Sequence, residues 1–177
     1  VADSVLRDSI SRGIHELIMT DRGGGDLRRV QFGRVSWLPE LEGKTLHDFA
    51  VMRRVDPIPA NAPPLVIEGM LKGGASMIYH IIDEDDVRRV MRHPQTMIAS
   101  DGRLTKQGEG VPHPRAYGTF PRVLGRYVRE LKLLSLEQGI HKMTGQPARR
   151  LGLTDRGVVR GGAVADLVVF DAATIAD

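Results

Sequence analysis

The first seventy residues alternate between amphipathic segments and breaks rich in glycine or proline. Residues 3–19 carry apolar side chains three and four positions apart, which predicts a helix with one buried face. These apolar positions are Val5, Leu6, Ile10, Ile14, Leu17 and Ile18. Three glycines at residues 23–25 end the helix. Residues 28–37 alternate and are partly β-branched, which predicts a strand, and residues 45–53 and 63–71 are predicted to be short helices.

The clearest pattern is a strand–helix–strand–helix order in the middle of the chain. Residues 75–82 form a nearly continuous apolar run. The acidic residues 83–86 suit the N-terminus of a helix that continues to His93. Residues 96–100 form a second apolar run, and a long loop then leads to a helix over residues 119–131. Short apolar strands without alternation indicate parallel pairing with both faces covered, as in a doubly wound sheet or a (β/α)8 barrel.

The last third of the chain is predicted to contain two short helices and a strand. Ser135 and Gln138 have the spacing of a capping box, so a helix is expected from there to Met143. Residues 147–151 are predicted to add one helical turn. Residues 165–170 are predicted to form a final strand, which needs neighbours to be stable.

Composition narrows the class of protein. A chain of 177 residues with 41% apolar and 27% charged residues is long enough for one domain with a sizeable core. The net charge of +3 is too small to predict nucleic-acid binding. No cysteine is present, so neither a disulfide nor a thiolate zinc site can form within this chain. No run reaches the roughly 18 apolar residues of a membrane span, no signal-peptide pattern opens the chain, and a cytoplasmic location is expected.

Asp101 is the first candidate for chemistry. Ser100-Asp101-Gly102 follows the predicted strand over residues 96–100, and the carboxyl ends of parallel strands face the active site in α/β folds. A carboxylate there can deprotonate a metal-bound water and return the proton to a leaving amine. The alternative is that Asp101 only caps a turn in which Gly102 supplies a positive φ.

His113 and Arg115 flank Pro114 in the loop after that strand. Proline restricts the backbone of both neighbours, and arginine can bind a planar carboxylate through two parallel hydrogen bonds. An ordinary surface turn explains the same three residues.

The remaining histidines and arginines carry less chemistry. No His-x-His or His-Glu-x-x-His spacing occurs in the chain. His80 can point inward from its strand, where a core histidine with a hydrogen-bond partner is expected. Arg122, Arg126 and Arg129 fall on one side of their helix, where a solvated face is expected.

The order of these motifs closely resembles the C-terminal half of N-acyl-D-amino-acid deacylases (D-aminoacylases) of the amidohydrolase superfamily. The stretches that carry the resemblance are residues 36–46, 83–87, 97–102, 113–130, 136–153 and 162–171. The run Gly-Thr-Phe-Pro-Arg-Val-Leu-Gly over residues 118–125 is the most specific. Ala99, where glycine is usual, and the loop over residues 103–112, which lacks the usual proline and histidine run, depart from the family pattern.

The resemblance implies the C-terminal portion of a (β/α)8 barrel, with residues 75–82 and 96–100 as its seventh and eighth strands. It implies that residues 1–160 belong to the barrel and that residues 161–177 begin a small accessory β-domain. It assigns Asp101 as the general acid/base and Arg115 as the ligand of the substrate carboxylate, with His113 in substrate binding. The cofactor it implies is zinc, whose histidine and cysteine ligands are expected upstream, so no metal ligand is expected in this chain.

Three functions are compatible with this interpretation. The first is a fragment of a zinc-dependent hydrolase of N-acyl-D-amino acids, with a small-molecule substrate and no nucleic-acid or membrane partner; the fragment alone is expected to be inactive. The second is an amidohydrolase of another amide, a cyclic amide or a dipeptide. The third is a non-catalytic α/β module in which Asp101 and Arg115 are structural. Because apolar strand edges would lack neighbours, the isolated chain is expected to pair with the rest of a barrel or to self-associate.

Overall fold

The computed structural model describes residues 3–106 and 108–177. These residues fall into two compact units. The first unit comprises the described parts of Val1–Ile82 and Thr105–His113, and the second comprises Asp83–Leu104 and Pro114–Asp177.

The described part of the first unit contains three α-helices, three short 3-10 turns and two strands. Its elements are α1 (Ser4–Leu17, continued as a π-helical turn over Ile18–Arg22), β1 (Val30–Arg34), α2 (Leu46–Met52), α3 (Ala62–Leu71) and β2 (Ser76–Tyr79). The predicted helices and the first strand are confirmed, with ends shifted by a few residues. Asp3 caps α1 by accepting a hydrogen bond from the Leu6 amide. Thr45 and Asp48 form a capping box at the start of α2.

Aromatic side chains lie at the centre of this unit. Phe49 of α2 is 1% exposed. Its ring packs edge-on against Phe32 of β1 at 5.8 Å between centroids and against Trp37 at 6.0 Å. The Trp37 indole donates a hydrogen bond to the Gly74 carbonyl, 2.9 Å away. The alternation of residues 28–37 therefore identified a strand that packs against the core.

The predicted parallel pairing of residues 75–82 is wrong in this structure. β2 pairs antiparallel with β1, and Val30 lies opposite Tyr79. Of the four residues of β2, Ile78 alone is buried, and Ile82 beyond the strand is 78% exposed. The apolar run predicted burial on both faces, whereas the strand packs one face on the core. A parallel pair also requires a second strand with the right direction, and β1 runs the other way.

The second unit is helical. Its elements are α4 (Glu84–Arg92), α5 (Thr119–Arg122, continued as a π-helix over Val123–Glu130), α6 (Leu136–Met143) and α7 (Gly145–Arg150). All four helices were predicted. Asp83 caps α4 by accepting a hydrogen bond from the Asp85 amide. The capping box predicted from Ser135 and Gln138 is present at the start of α6.

The two strands predicted in this unit are wrong, since none of its described residues forms a strand. The backbone of residues 93–98 is instead hydrogen-bonded to Lys142 of α6, which takes the place of a neighbouring strand. Residues 165–170 have no strand partner among the described residues, and Val169 is 98% exposed. A strand exists only with a neighbour that completes its ladder, and an apolar run in the sequence carries no information about that neighbour.

Candidate active site

Ser100 fixes the backbone on which Asp101 stands. Its hydroxyl donates a hydrogen bond to the Arg115 carbonyl at 2.8 Å and accepts one from the Gly102 amide at 3.1 Å. Both bonds lie within the second unit. Through the Ser100 hydroxyl, these bonds link the backbone on either side of Asp101 to the backbone of Arg115. The backbones of the two candidate residues are therefore held close together.

Gly102 is needed in this contact because of space. A Cβ atom on Gly102 would lie 2.5 Å from the Arg115 carbonyl oxygen and 2.8 Å from the Ala116 Cα. Its φ lies outside the left-handed region, so the predicted alternative, a turn in which Gly102 supplies a positive φ, is wrong. The glycine allows two backbone segments to approach closely.

Arg115 lies in a single turn of 3-10 helix, Pro114–Ala116. The amides of Tyr117 and Gly118 donate hydrogen bonds to the Pro114 carbonyl and close this turn. The Arg115 Nε lies 3.1 Å from the Asp101 Oδ1, and the two side chains are 48% and 78% exposed. The structure therefore brings together the two residues that the sequence singled out most strongly. It places them as an exposed ion pair.

His113 does not belong to the same compact unit as Asp101 and Arg115. It ends the segment Thr105–His113 of the first unit, and its side chain is exposed. Its predicted part in substrate binding stays a prediction.

Two expectations about other residues are corrected. His80 is exposed, because β2 ends at Tyr79, and its Nε2 lies 2.9 Å from the Gln31 Oε1. It is therefore not a core histidine. The solvated face predicted for the arginines is corrected in part: Arg122 is exposed and lies 2.6 Å from the Asp177 carboxylate, whereas Arg129 is half-buried and donates a hydrogen bond to the Ile175 carbonyl at 2.6 Å.

Comparison with known proteins identifies the family. A model of the amidohydrolase family matches residues 11–177. The chain belongs to the amidohydrolase family. The predicted resemblance is also confirmed: this amidohydrolase chain is 44% identical over 149 residues to the D-aminoacylase of Alcaligenes xylosoxydans xylosoxydans, a match that covers 81% of the chain and 28% of that protein. It is 44% identical over 147 residues to the N-acyl-D-glutamate deacylase of the same organism, with the same coverage.

A solved structure gives the same result for the amidohydrolase chain. It is similar to the crystal structure of N-acyl-D-glutamate deacylase from Bordetella bronchiseptica, complexed with zinc and a phosphonate inhibitor that mimics the tetrahedral intermediate. The TM-score is 0.73 and the sequence identity is 39%, over 93% of this chain and 31% of that one. The chain therefore spans less than a third of the length of these relatives.

The described residues do not fit a zinc site by themselves. Across residues 3–106 and 108–177, no three histidine or acidic side chains come together as metal ligands would. In the same residues, no helix combines the length and apolar character that a membrane crossing requires. At the candidate site, the described residues provide a carboxylate, Asp101, in contact with a guanidinium, Arg115.

Two features of the second unit were missed in the sequence. Tyr127 donates a hydrogen bond to Glu84 at 3.1 Å, and burial, together with that carboxylate, raises the pKa of Tyr127. Lys142 is buried and bonds to the segment that leads to Asp101. The spacing of Gly139 and Lys142 places both on one face of α6. A lysine near the end of a polar helix is normally solvated, so this spacing does not reveal the burial of Lys142.

Proposed function

We propose that this chain is part of a zinc-dependent N-acyl-D-amino-acid deacylase and contains its general acid/base, Asp101, and its substrate-carboxylate ligand, Arg115. The reaction hydrolyses the amide bond of a small N-acyl-D-amino acid to a D-amino acid and a carboxylate. The observation that carries the proposal is the 3.1 Å ion pair between the two side chains. Its geometry puts an acid/base and a carboxylate-binding group within the span of one small substrate.

Asp101 moves one proton in this reaction. Water attacks the amide carbonyl carbon, and the bond between that carbon and the nitrogen breaks. Asp101 takes the proton that the water loses and passes it to the departing nitrogen, so a single carboxylate acts first as a base and then as an acid. Its side chain is 78% exposed, which leaves it accessible to substrate.

Arg115 exchanges one carboxylate for another when substrate binds. Exposed ion pairs contribute only about 0–1 kcal/mol, so separating Arg115 from Asp101 costs little. The α-carboxylate of the substrate offers the guanidinium a bidentate partner. Its arrival releases the Asp101 oxygen that Arg115 had occupied. The same arginine therefore orients the substrate and frees the base.

Zinc supplies an electrophile and an activated water in enzymes of this chemical class. Because the described residues do not form a metal site, we propose that its ligands lie in the part of the relatives' length that this chain does not match. The fold of the whole protein is proposed to be a (β/α)8 barrel. Residues 1–160 belong to that barrel in this proposal, and residues 161–177 belong to an accessory β-domain.

The test is a comparison of two aspartates in the full-length protein. Asp101→Asn keeps the size of the side chain and removes its capacity to accept a proton, so kcat is expected to fall about 10²–10⁴-fold on N-acetyl-D-amino acids, with zinc content unchanged. Asp166→Asn is the matched control, because Asp166 is also exposed (72%) and pairs with Arg156 at 3.3 Å. Its kcat is expected to stay within roughly twofold of wild type.

Two results would contradict the proposal. A wild-type kcat in Asp101→Asn removes this residue from the chemistry and favours a structural role. A full-length protein that cleaves dipeptides or cyclic amides, and no N-acyl-D-amino acid, places the activity elsewhere in the amidohydrolase family.

A further inference from the structure

Lys142 is the one charged residue that is buried among residues 3–106 and 108–177, with 5% of its surface exposed. It lies near the end of α6, in the second unit. Burial lowers the pKa of Lys142 from its usual value of 10.5. Lysine is rarely buried in proteins unless its nitrogen has partners. The partners of Lys142 are therefore informative.

Those partners are the backbone atoms of one short segment. The Lys142 Nζ donates hydrogen bonds to the His93 carbonyl at 2.6 Å and to the Thr96 carbonyl at 2.9 Å. The Lys142 carbonyl accepts a hydrogen bond from the Ile98 amide at 3.0 Å. The bonds of this lysine thus hold the chain over residues 93–98.

A second side chain from the next helix holds the same segment. The Gln146 amide donates a hydrogen bond to the Pro94 carbonyl at 2.8 Å. Gln146 is half-buried, whereas Lys142 is buried. The buried residue therefore fixes the segment in a low-dielectric environment, where a hydrogen bond is stronger and its loss is more costly.

The held segment leads directly to Asp101. Ser100 follows Ile98 by two residues, and its hydroxyl bonds to the Arg115 carbonyl. Asp101 thus lies close to two fixed points: Lys142 holds the backbone before it, and the contact of Ser100 with Arg115 holds the backbone beside it. Freeing either point would let the carboxylate move relative to a bound substrate.

We propose that Lys142 is a positioning residue for Asp101, which it orients by bonding the carbonyls of His93 and Thr96. This inference rests on the proposed role of Asp101 in proton transfer. In it, Lys142 touches neither the substrate nor the reacting atoms. Its effect on the reaction is carried by the backbone of residues 93–100. Misplacing a catalytic group by about 1 Å can lower a rate on the order of 10²-fold.

The first experiment measures kinetics of the full-length protein at a temperature well below its unfolding midpoint. Lys142→Met keeps most of the side-chain volume but removes both hydrogen bonds, and kcat is expected to fall about 10–10²-fold with a smaller change in KM. Lys142→Arg retains donors and is expected to recover part of the loss. Lys132→Met, at an exposed lysine of the same unit, is the control and is expected to retain kcat.

A double variant separates positioning from a general structural role. If Lys142 acts through Asp101, adding Lys142→Met to Asp101→Asn is expected to lower the residual rate by less than roughly twofold, because the group it positions is already disabled. An equal loss in both backgrounds overturns the proposal, and so does an unchanged kcat in Lys142→Met alone.

The contact of Lys142 with residues 93–98 can also be tested without an activity assay. Amide hydrogen exchange is expected to accelerate over residues 95–102 in Lys142→Met and not in Lys132→Met. Should Lys142→Met not fold, Lys142→Gln, which retains one donor group, replaces it. Unchanged exchange refutes the contact itself. Faster exchange together with a wild-type kcat in Asp101→Asn refutes the proposed function of Asp101, and with it the positioning role, but leaves the contact standing.

Discussion

Replacing Gly102 with alanine tests whether the contact between residues 100–102 and 115–116 holds the candidate site together. The new methyl group would lie 2.5 Å from the Arg115 carbonyl oxygen, 2.8 Å from the Ala116 Cα and 2.9 Å from the Arg115 carbonyl carbon. All three are backbone atoms, so no side-chain rotation relieves the clash. The two segments must separate by roughly 1 Å to reach an ordinary contact distance.

The expected loss of stability follows from that separation. Overpacking in a closely packed contact costs about 1–3 kcal/mol. Loss of the hydrogen bond from Ser100 to the Arg115 carbonyl adds about 1 kcal/mol. For a chain of this length each kcal/mol lowers the unfolding midpoint by about 2–4 °C, so circular dichroism on heating resolves the change easily.

Gly161 provides the control. No atom lies within 4 Å of the position that an added methyl group would take, and its φ is not positive, so Gly161→Ala is expected to leave the midpoint unchanged or to raise it slightly. Equal midpoints for Gly102→Ala and Gly161→Ala would falsify the close-approach argument. In the full-length protein, Gly102→Ala is also expected to lower kcat, because the separation moves Asp101 relative to Arg115.

Further outcomes are expected elsewhere in the molecule. Glu68 accepts hydrogen bonds from Arg53 and Lys72, which lower its pKa from 4.5 to about 2. The ionised Glu68 therefore stabilises the folded state by on the order of 1 kcal/mol. This contribution is present above pH 4.5 and is lost as the pH falls through about 2. The unfolding midpoints of the wild type and Glu68→Gln should converge over that range. Sedimentation velocity of the isolated chain should show concentration-dependent association that Val168→Lys reduces, since Val168 is 85% exposed; a compact monomer at all concentrations contradicts this. Arg115→Ala should weaken transition-state stabilisation, measured from kcat/KM, by roughly 2–4 kcal/mol. Arg115→Lys should recover only part of this loss, because lysine keeps the charge but lacks the planar fork. Equal kcat/KM in the wild type and both variants contradicts the role of Arg115.

Helices were predictable from the sequence because their start signals are local. The acidic run that begins at Asp83 and the pair Ser135 and Gln138 lie within one turn of the amides they cap, so the sequence contains both partners. Strands were less predictable. The run over residues 96–100 has strand-like composition, but its backbone bonds are decided by Lys142, more than forty positions later.

The candidate site was also predictable only in part. Asp101 and Arg115 were found from motif order, and the structure places them in contact. The reason for Gly102 was misjudged, because a sequence shows that a glycine is present but not which backbone approaches it. Lys142 was missed because its position in a helix of mixed character predicts a solvated lysine. Only the packing of α6 buries it.

The bonds around Ser100 and Arg115 also close the base of the loop over residues 103–114. Once the ends of a loop are held together, lengthening it is inexpensive: doubling its length costs only about 0.6 kcal/mol of chain entropy. Gly108 in this loop has open space around it, so it is a suitable place for inserted residues. Residues inserted after Gly108 are therefore expected to leave the spacing of Asp101 and Arg115 unchanged, so this loop can be lengthened or tagged without disturbing the ion pair.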